Sequence, residues 1–275
     1  MLILNYTFNL IGSNVIYLNH TKFSITIIIF LFLACFAASA VDSIAGGGGL
    51  ISLPAFILGG LPSRIALGTN KFSSTSGAII SGFQYFKNGK VNFKLLKYLI
   101  PFSFIGSALG VYTVLNIDEN LIRALVLILI LFVGIYSLFS KKLGMEDNFK
   151  GINTKNVLLG ILLAFCLGFY DGFFGPGTGS FLIFGLIKIY GFNYINASGN
   201  SKILNLTSNI SALLIFALHS QIYFYLGLIT ASAMIIGANL GTKIALKKGS
   251  KLIKPIFICM SLGVAIKMIY SLIIQ

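Results

Sequence analysis

The sequence predicts an all-α polytopic membrane protein built from two inverted repeats, and three observations carry that prediction. Of the 275 residues 57% are hydrophobic and 9% charged, with a mean hydropathy of +0.95; a soluble chain of this length needs far more charge to cover its surface. Apolar runs long enough to cross a bilayer recur along the whole chain. Twice, an apolar run meets an Asp followed by clustered glycines: VDSIAGGGGLISLP from Val41 and YDGFFGPGTGSF from Tyr170.

The first 22 residues mix polar and apolar types. The run from Phe23 to Val41 exceeds a signal-peptide core and ends at the Asp-Gly motif rather than at a cleavage site, so it reads as a retained helix. Runs at 50–61, 72–86, 95–115 and 121–139 follow, and a second set lies at 156–170, 177–191, 203–218, 222–242 and 252–273. The two sets are in register. Asp42 and Asp171 are 129 positions apart, as are Gly46 and Gly175, and Gly48 and Gly177. After a two-residue insertion the offset is 131, pairing ALGTNK from Ala66 with ASGNSK from Ala197, and GSALG from Gly106 with GANLG from Gly237. The chain therefore divides into an N-terminal segment 1–22, a transmembrane repeat 23–140, a cytoplasmic linker 141–155 and a second transmembrane repeat 156–275.

One run in each half is short. Leu50 to Leu61 contains Pro54 and as a helix reaches about 18 Å, against about 30 Å of hydrocarbon. Each repeat is thus about four full helices plus one short broken or re-entrant segment, eight to ten crossings in all. Charge chooses among these. Four lysines lie in 87–97, four in the linker and five in 243–254, and all three clusters belong on the cytoplasmic side. They share a side only if the run at 177 effectively crosses, since a re-entrant segment there would place the last five lysines outside; this gives five crossings per half and halves of opposite orientation, with Asp118 and Glu119 outside.

Composition also limits function. The net charge of +14 sits in short clusters between apolar runs, the orientation signal of a membrane protein rather than a nucleic-acid surface. Cys35, Cys166 and Cys259 are far apart inside apolar runs, and His20 and His219 are the only histidines. No metal site, cofactor or disulfide framework is expected. No Walker loop, paired histidines or Ser-His arrangement points to catalysis, which leaves intramembrane enzyme as the weakest alternative.

A helix broken at mid-membrane presents unpaired N–H groups and a positive dipole end, which suits an anion. Gly46, Gly47, Gly48 and Gly49 open the short helix from Leu50; Gly175, Gly177 and Gly179 open the one from Ser180, with the Thr178 and Ser180 hydroxyls beside them. The competing role for such glycines is close helix packing, and for the GxxxG spacings GSALG and GANLG packing is the expected role. Lys71 and Lys202 match in the repeat and stand beside Asn70 and Asn200 at the start of the next helix. They can close an anion site with charge and amide donors, or snorkel to the interface. Asp42 and Asp171 have two roles open: helix capping, or taking and releasing a proton that couples transport. A carboxylate beside an anion needs protonation or a partner, for which the repeat-related lysine is the candidate.

The paired motifs VDSIAGGGGLISLP with ALGTNK, and YDGFFGPGTGSF after a charged linker, resemble the TauE/SafE family of sulfite-exporter-like permeases, in the branch whose second motif reads GPGTG. The resemblance spans nearly the whole chain. It implies a multi-pass transporter in the lipid bilayer of a bacterial cytoplasmic membrane, associated with sulfite, sulfonates and other small organic or sulfur-containing anions. Without a Walker loop for ATP, the expected driving force is an ion gradient, the proton motive force or the substrate's own gradient, so protons or other ions are the candidate coupling partners. Together with the residues the resemblance leads to a secondary transporter working by alternating access, with an anion channel as the alternative.

Overall fold

In the computed structural model, described for residues 23–119, 121, 122, 125, 128 and 146–248, no strand occurs and eight helices follow one another. They are α1 (Ile25–Ala45), α2 (Gly49–Leu58), α3 (Ser63–Lys87), α4 (Phe93–Leu115), α5 (Thr154–Phe173), α6 (Thr178–Tyr190), α7 (Tyr194–Leu218) and α8 (Phe224–Lys248). The run at 252–273, the first 22 residues and most of the run at 121–139 lie outside the described residues. Matching helices start 129 residues apart for α1/α5 and α2/α6, and 131 apart for α3/α7 and α4/α8, which is the offset read from the motifs.

Local chemistry sets the helix limits. Ser24, Asn92, Asn153 and Asn193 each accept a hydrogen bond from the backbone N–H three residues on, capping α1, α4, α5 and α7. Gly46 closes α1 in the left-handed conformation, φ 79°, its N–H bonded to the Asp42 carbonyl. Five helices, α1, α4, α5, α7 and α8, are long and apolar enough to cross a membrane. Large apolar side chains such as Leu33, Phe83, Leu158, Leu162 and Leu228 face outward, a surface suited to lipid rather than water. The protein is a polytopic helical membrane protein.

The short helices fold back on their predecessors. Gly48 lies against Ala38 and Asp42, and Gly59 against Leu31, so α2 retraces α1. Gly185 meets Leu163, and the Tyr190 hydroxyl donates to the Asn156 carbonyl at 2.8 Å, so α6 retraces α5. At 10 and 13 residues these arms reach about 15 and 20 Å. Each counts as a pass in the parity of the chain while forming the return arm of a re-entrant hairpin. The crossing at 177 that the lysine clusters called for is therefore not formed, and it is not needed to bring the loops together, because a hairpin enters and leaves at the same end: Asn92 N–H bonds Asn200, Asn193 N–H bonds Asp147, and Asn148 N–H bonds the Gly191 carbonyl, which gathers the loops after α3 and α6 and the linker at one end of the bundle. Lys87, Lys243 and Lys247 line one groove at that end. Glu119 pairs with Arg64 at 3.6 Å near the start of α3, at the opposite end.

The halves interlock. Gly68 meets Phe216 and Gly82 meets Ile203, so the matching helices α3 and α7 are antiparallel. The GxxxG glycines perform the packing role expected of them, across the halves: Gly106 and Gly110 of α4 lie on the backbone at Phe165 and Phe169 of α5, while Gly237 and Gly241 of α8 lie on the backbone at Phe36 and Ala40 of α1. Two apolar cores result. One surrounds Leu31, Phe56 and Phe216 beside the α1–α2 hairpin, the other Tyr85, Leu99 and Tyr190 beside the α5–α6 hairpin, leaving the hairpin tips between them.

Gly110→Leu tests this packing. A Cβ at Gly110 falls 2.1 Å from the Phe169 carbonyl oxygen, whereas at Gly82 the nearest atom is the movable Ile203 Cδ1 at 3.3 Å. Gly110→Leu is expected to cost about 3 kcal/mol or more and lower the melting temperature in detergent, with Gly82→Ala close to wild type.

Candidate functional site

The tips of the two hairpins touch at their glycines. Ser180 N–H donates to the Gly46 carbonyl at 3.1 Å and its hydroxyl to the Ala45 carbonyl at 2.8 Å. A Cβ on Gly46 would stand 2.4 Å from the Gly179 carbonyl carbon, and one on Gly49 2.9 Å from Pro176 Cα. The contact therefore excludes side chains at Gly46 and Gly49.

Lys71 and Lys202 stand more than two turns inside α3 and α7, not at helix starts as the apolar runs suggested, because both helices begin eight residues earlier. Both are buried, with 2% and 3% of the residue exposed, which removes snorkelling. Each pairs with an aspartate of the other half. Lys71 Nζ lies 2.9 Å from Asp171 Oδ1 and donates to Asn209 Oδ1 at 3.0 Å; Lys202 pairs with Asp42 Oδ2. Asp42 also accepts from Gly48 N–H at 3.3 Å, so it holds the glycine turn as well. Asp171 accepts from the Ser208 hydroxyl at 2.6 Å instead. The two crossed pairs differ in exposure: side-chain exposure is 2% for Asp171 and 25% for Asp42.

A small polar cavity lies where the tips meet. It has about 30 Å³ of free space, where one water needs about 10–15 Å³, so it suits an occupant of a few atoms. Of the residues singled out in the sequence, Asp42, Gly46, Gly48, Gly49, Asn70, Lys71, Asp171, Gly175, Gly177 and Gly179 line it. Gly47, Thr178, Ser180, Asn200 and Lys202 do not. Thr178 Oγ1 donates to the Gly175 carbonyl and Ser180 fixes the hairpin contact. Asn200 sits at the lysine-rich end, where it accepts from Asn92 N–H at 2.8 Å. Register explains this: Asn200 matches Thr69, which likewise accepts from Tyr223 N–H at 3.0 Å, and the match of Asn70 is Ser201. Lys202 stands behind the wall, paired with Asp42.

The sequence reading missed Ser39, Ser52, Ser74, Asn205 and Asn209 on the cavity wall. A signal was present, since 70 and 74, and 202, 205 and 209, recur at three- and four-residue spacing on one face of α3 and α7. The Asn70 side chain, 5% exposed, has an Oδ1 with no partner, a costly arrangement for a buried amide. An acceptor oxygen of this kind gains a hydrogen bond only from an occupant that carries a donor, such as water or a protonated acid; toward an oxyanion Asn70 can offer only its Nδ2 hydrogens. Among the described residues, no group of three or more His, Cys, Asp or Glu could hold a metal ion.

The family described as "Sulfite exporter TauE/SafE" matches residues 31–268. The chain belongs to this family. A "Probable membrane transporter protein" of Haemophilus influenzae is 39% identical over 247 residues, covering 90% of this chain and 96% of the relative. "Probable membrane transporter protein YfcA" of Escherichia coli K12 is 35% identical over 241 residues, 88% of this chain and 89% of the relative. "Probable membrane transporter protein ORF9" of a Sinorhizobium species is 34% identical over 240 residues, 87% and 91%. No solved structure matches the chain. This TauE/SafE member is thus a multi-pass bacterial membrane protein of a transporter family.

Exposure ranks the two lysines in stability. Lys71→Met leaves Asp171 buried and unpaired and is expected to cost about 3–5 kcal/mol, with most of it recovered in Lys71→Met/Asp171→Asn. Lys202→Met leaves the partly exposed Asp42 and is expected to cost less. Melting temperatures of the three variants in one detergent order them.

Proposed function

We propose that this TauE/SafE member is a secondary transporter that moves a small anion, of the class of sulfite or a sulfonate, across the cytoplasmic membrane by alternating access, with no catalytic role. The observation that carries the proposal is the cavity at the contact of the two re-entrant hairpins. It is walled by the N-terminal ends of α2 and α6 through Gly48, Gly49 and Gly177, by the Lys71 ammonium and by the Asn70 amide. Helix N-termini, an ammonium and the Nδ2 hydrogens of an amide are donors that hold an oxyanion. In this reading Gly46, Gly179 and Ser180 keep the tips in register, and the lysine-rich end faces the cytoplasm.

Crossed pairing suits a rocking mechanism. Antiparallel α3 and α7 place the Lys71 pair toward the Arg64 end and the Lys202 pair toward the lysine-rich end, one on each side of the cavity. Matched pairs of unequal exposure are what one rocked state of two such halves would show. The family name and the printed names of the relatives favour transport over catalysis. A channel remains the rival, because a glycine-lined passage can also conduct. Counterflow of labelled anion in proteoliposomes separates them: a carrier exchanges across a closed gradient, while single-channel conductance without counterflow overturns the carrier.

The binding test is a thermal-shift screen of the purified protein with sulfite, thiosulfate, methanesulfonate, acetate and phosphate. A bound anion at 100 times its Kd stabilises by about 2.7 kcal/mol. Lys71→Gln/Asp171→Asn, which removes the ammonium without stranding a carboxylate, is expected to weaken that anion at least about tenfold, the loss of about 1.4 kcal/mol. Unchanged affinity in the double variant would remove Lys71 from the site.

A further inference from the structure

We infer that each anion entering this cavity is accompanied by one proton, taken up by Asp171; the inference rests on the anion reading above and adds the coupling ion and its seat. The starting point is charge. The titratable side chains on the cavity wall, among the described residues, are Asp42, Asp171 and Lys71, and Lys202 holds Asp42 from behind. Two carboxylates and two ammonium groups sum to zero. An anion entering alone would leave one uncompensated negative charge among buried groups, which costs several kcal/mol. A proton arriving with it restores neutrality and releases Lys71 from Asp171 to the anion.

The hydrogen bonds around Asp171 already accommodate the neutral acid. In the ionised state the Ser208 hydroxyl donates to Asp171 Oδ2 at 2.6 Å. The same hydroxyl has a second acceptor, the Asn205 carbonyl, at 3.0 Å. When Oδ2 gains a proton from the aqueous phase, forming an O–H bond, Ser208 turns its hydrogen to Asn205 and its oxygen accepts from Asp171. No buried donor is stranded. Lys71, its bond at 2.9 Å to Asp171 Oδ1 weakened, remains anchored by Asn209 Oδ1 at 3.0 Å and has donors for an anion. On release the steps reverse, and the proton leaves with the substrate.

Asp42 lacks this arrangement. Its acceptor bonds come from Gly48 N–H and Lys202, neither of which can turn round to accept from a carboxylic acid. The groups facing Asp171 from the packed elements are Lys71 and, more distantly, Asn70 of α3, Ser208 and Asn209 of α7, Asp42 of α1 across the cavity, and Tyr170 of its own helix, whose hydroxyl is spent on the Pro176 carbonyl at 2.8 Å. From α4, Ser107 donates to the Ser208 carbonyl at 2.6 Å and carries no charge. Asp171 is thus the carboxylate with both a counter-charge and a reversible hydroxyl partner.

The test counts protons. Methanesulfonate, fully ionised near neutral pH, is titrated calorimetrically into the full chain in imidazole and in Tris, two cationic buffers of different ionisation enthalpy. Wild type is expected to take up about one proton per anion, so its affinity rises about tenfold for each unit the pH falls. Asp171→Asn is expected to bind with no uptake and a flat pH profile. Wild-type binding without uptake overturns the inference and leaves the anion site standing, as does uptake retained in Asp171→Asn, which puts the proton elsewhere. If the variant does not fold, the wild-type count decides. Should methanesulfonate not bind, thiosulfate takes its place in the same titration; binding by none of the five screened anions overturns the anion reading and this inference with it.

Discussion

A lysine ammonium buried two turns inside a membrane helix needs a counter-charge at contact distance, and here each lysine finds it in the other half of the chain. Lys71 of the first repeat holds Asp171 of the second, and Lys202 of the second holds Asp42 of the first. Removing either partner strands a charge in a low-dielectric interior. The halves therefore cannot drift apart without breaking both pairs, and the interface between repeats is also the place where charge is concentrated. Much of the remaining architecture serves to bring these four side chains together.

Small residues make that approach possible. Hydrocarbon supplies no hydrophobic drive between helices, so close backbone contact must supply cohesion. Gly106 and Gly110, with their matches Gly237 and Gly241, let the fourth helix of each half press on the first helix of the other. Gly46 and Gly179 let the hairpin tips meet. A larger residue at these points would separate the tips and lengthen the ion pairs, so packing and electrostatics are coupled through the same glycines. Serines complete the joints, as where Ser103 and Ser107 donate to carbonyls of α7 at 3.1 and 2.6 Å.

Most of the fold was legible because hydropathy and duplication are written linearly. Membrane class, repeat offset, short segments and packing glycines all came from composition and spacing. Helix starts were not, because α3 and α7 open with polar residues that an apolar-run reading assigns to loops. That same polarity hid the cavity wall at Ser74, Asn205 and Asn209, and it placed Lys71 and Lys202 at helix ends rather than deep in the bundle. Asn200 was drawn toward the site by its neighbour Lys202, although its register partner Thr69 shows a shared task in fixing the loop before the next helix.

The sequence alone determined that this is a duplicated, helical membrane protein with two Asp-glycine breaks, since periodicity, hydropathy and register need no third dimension. Only the tertiary structure decided that the breaks are tips of returning hairpins, which aspartate meets which lysine, and that one pair is sealed while the other is partly exposed. The physical reason is distance. Lys71 and Asp171 are far apart in sequence and 2.9 Å apart in space, and a partnership of that kind is set by how antiparallel halves pack.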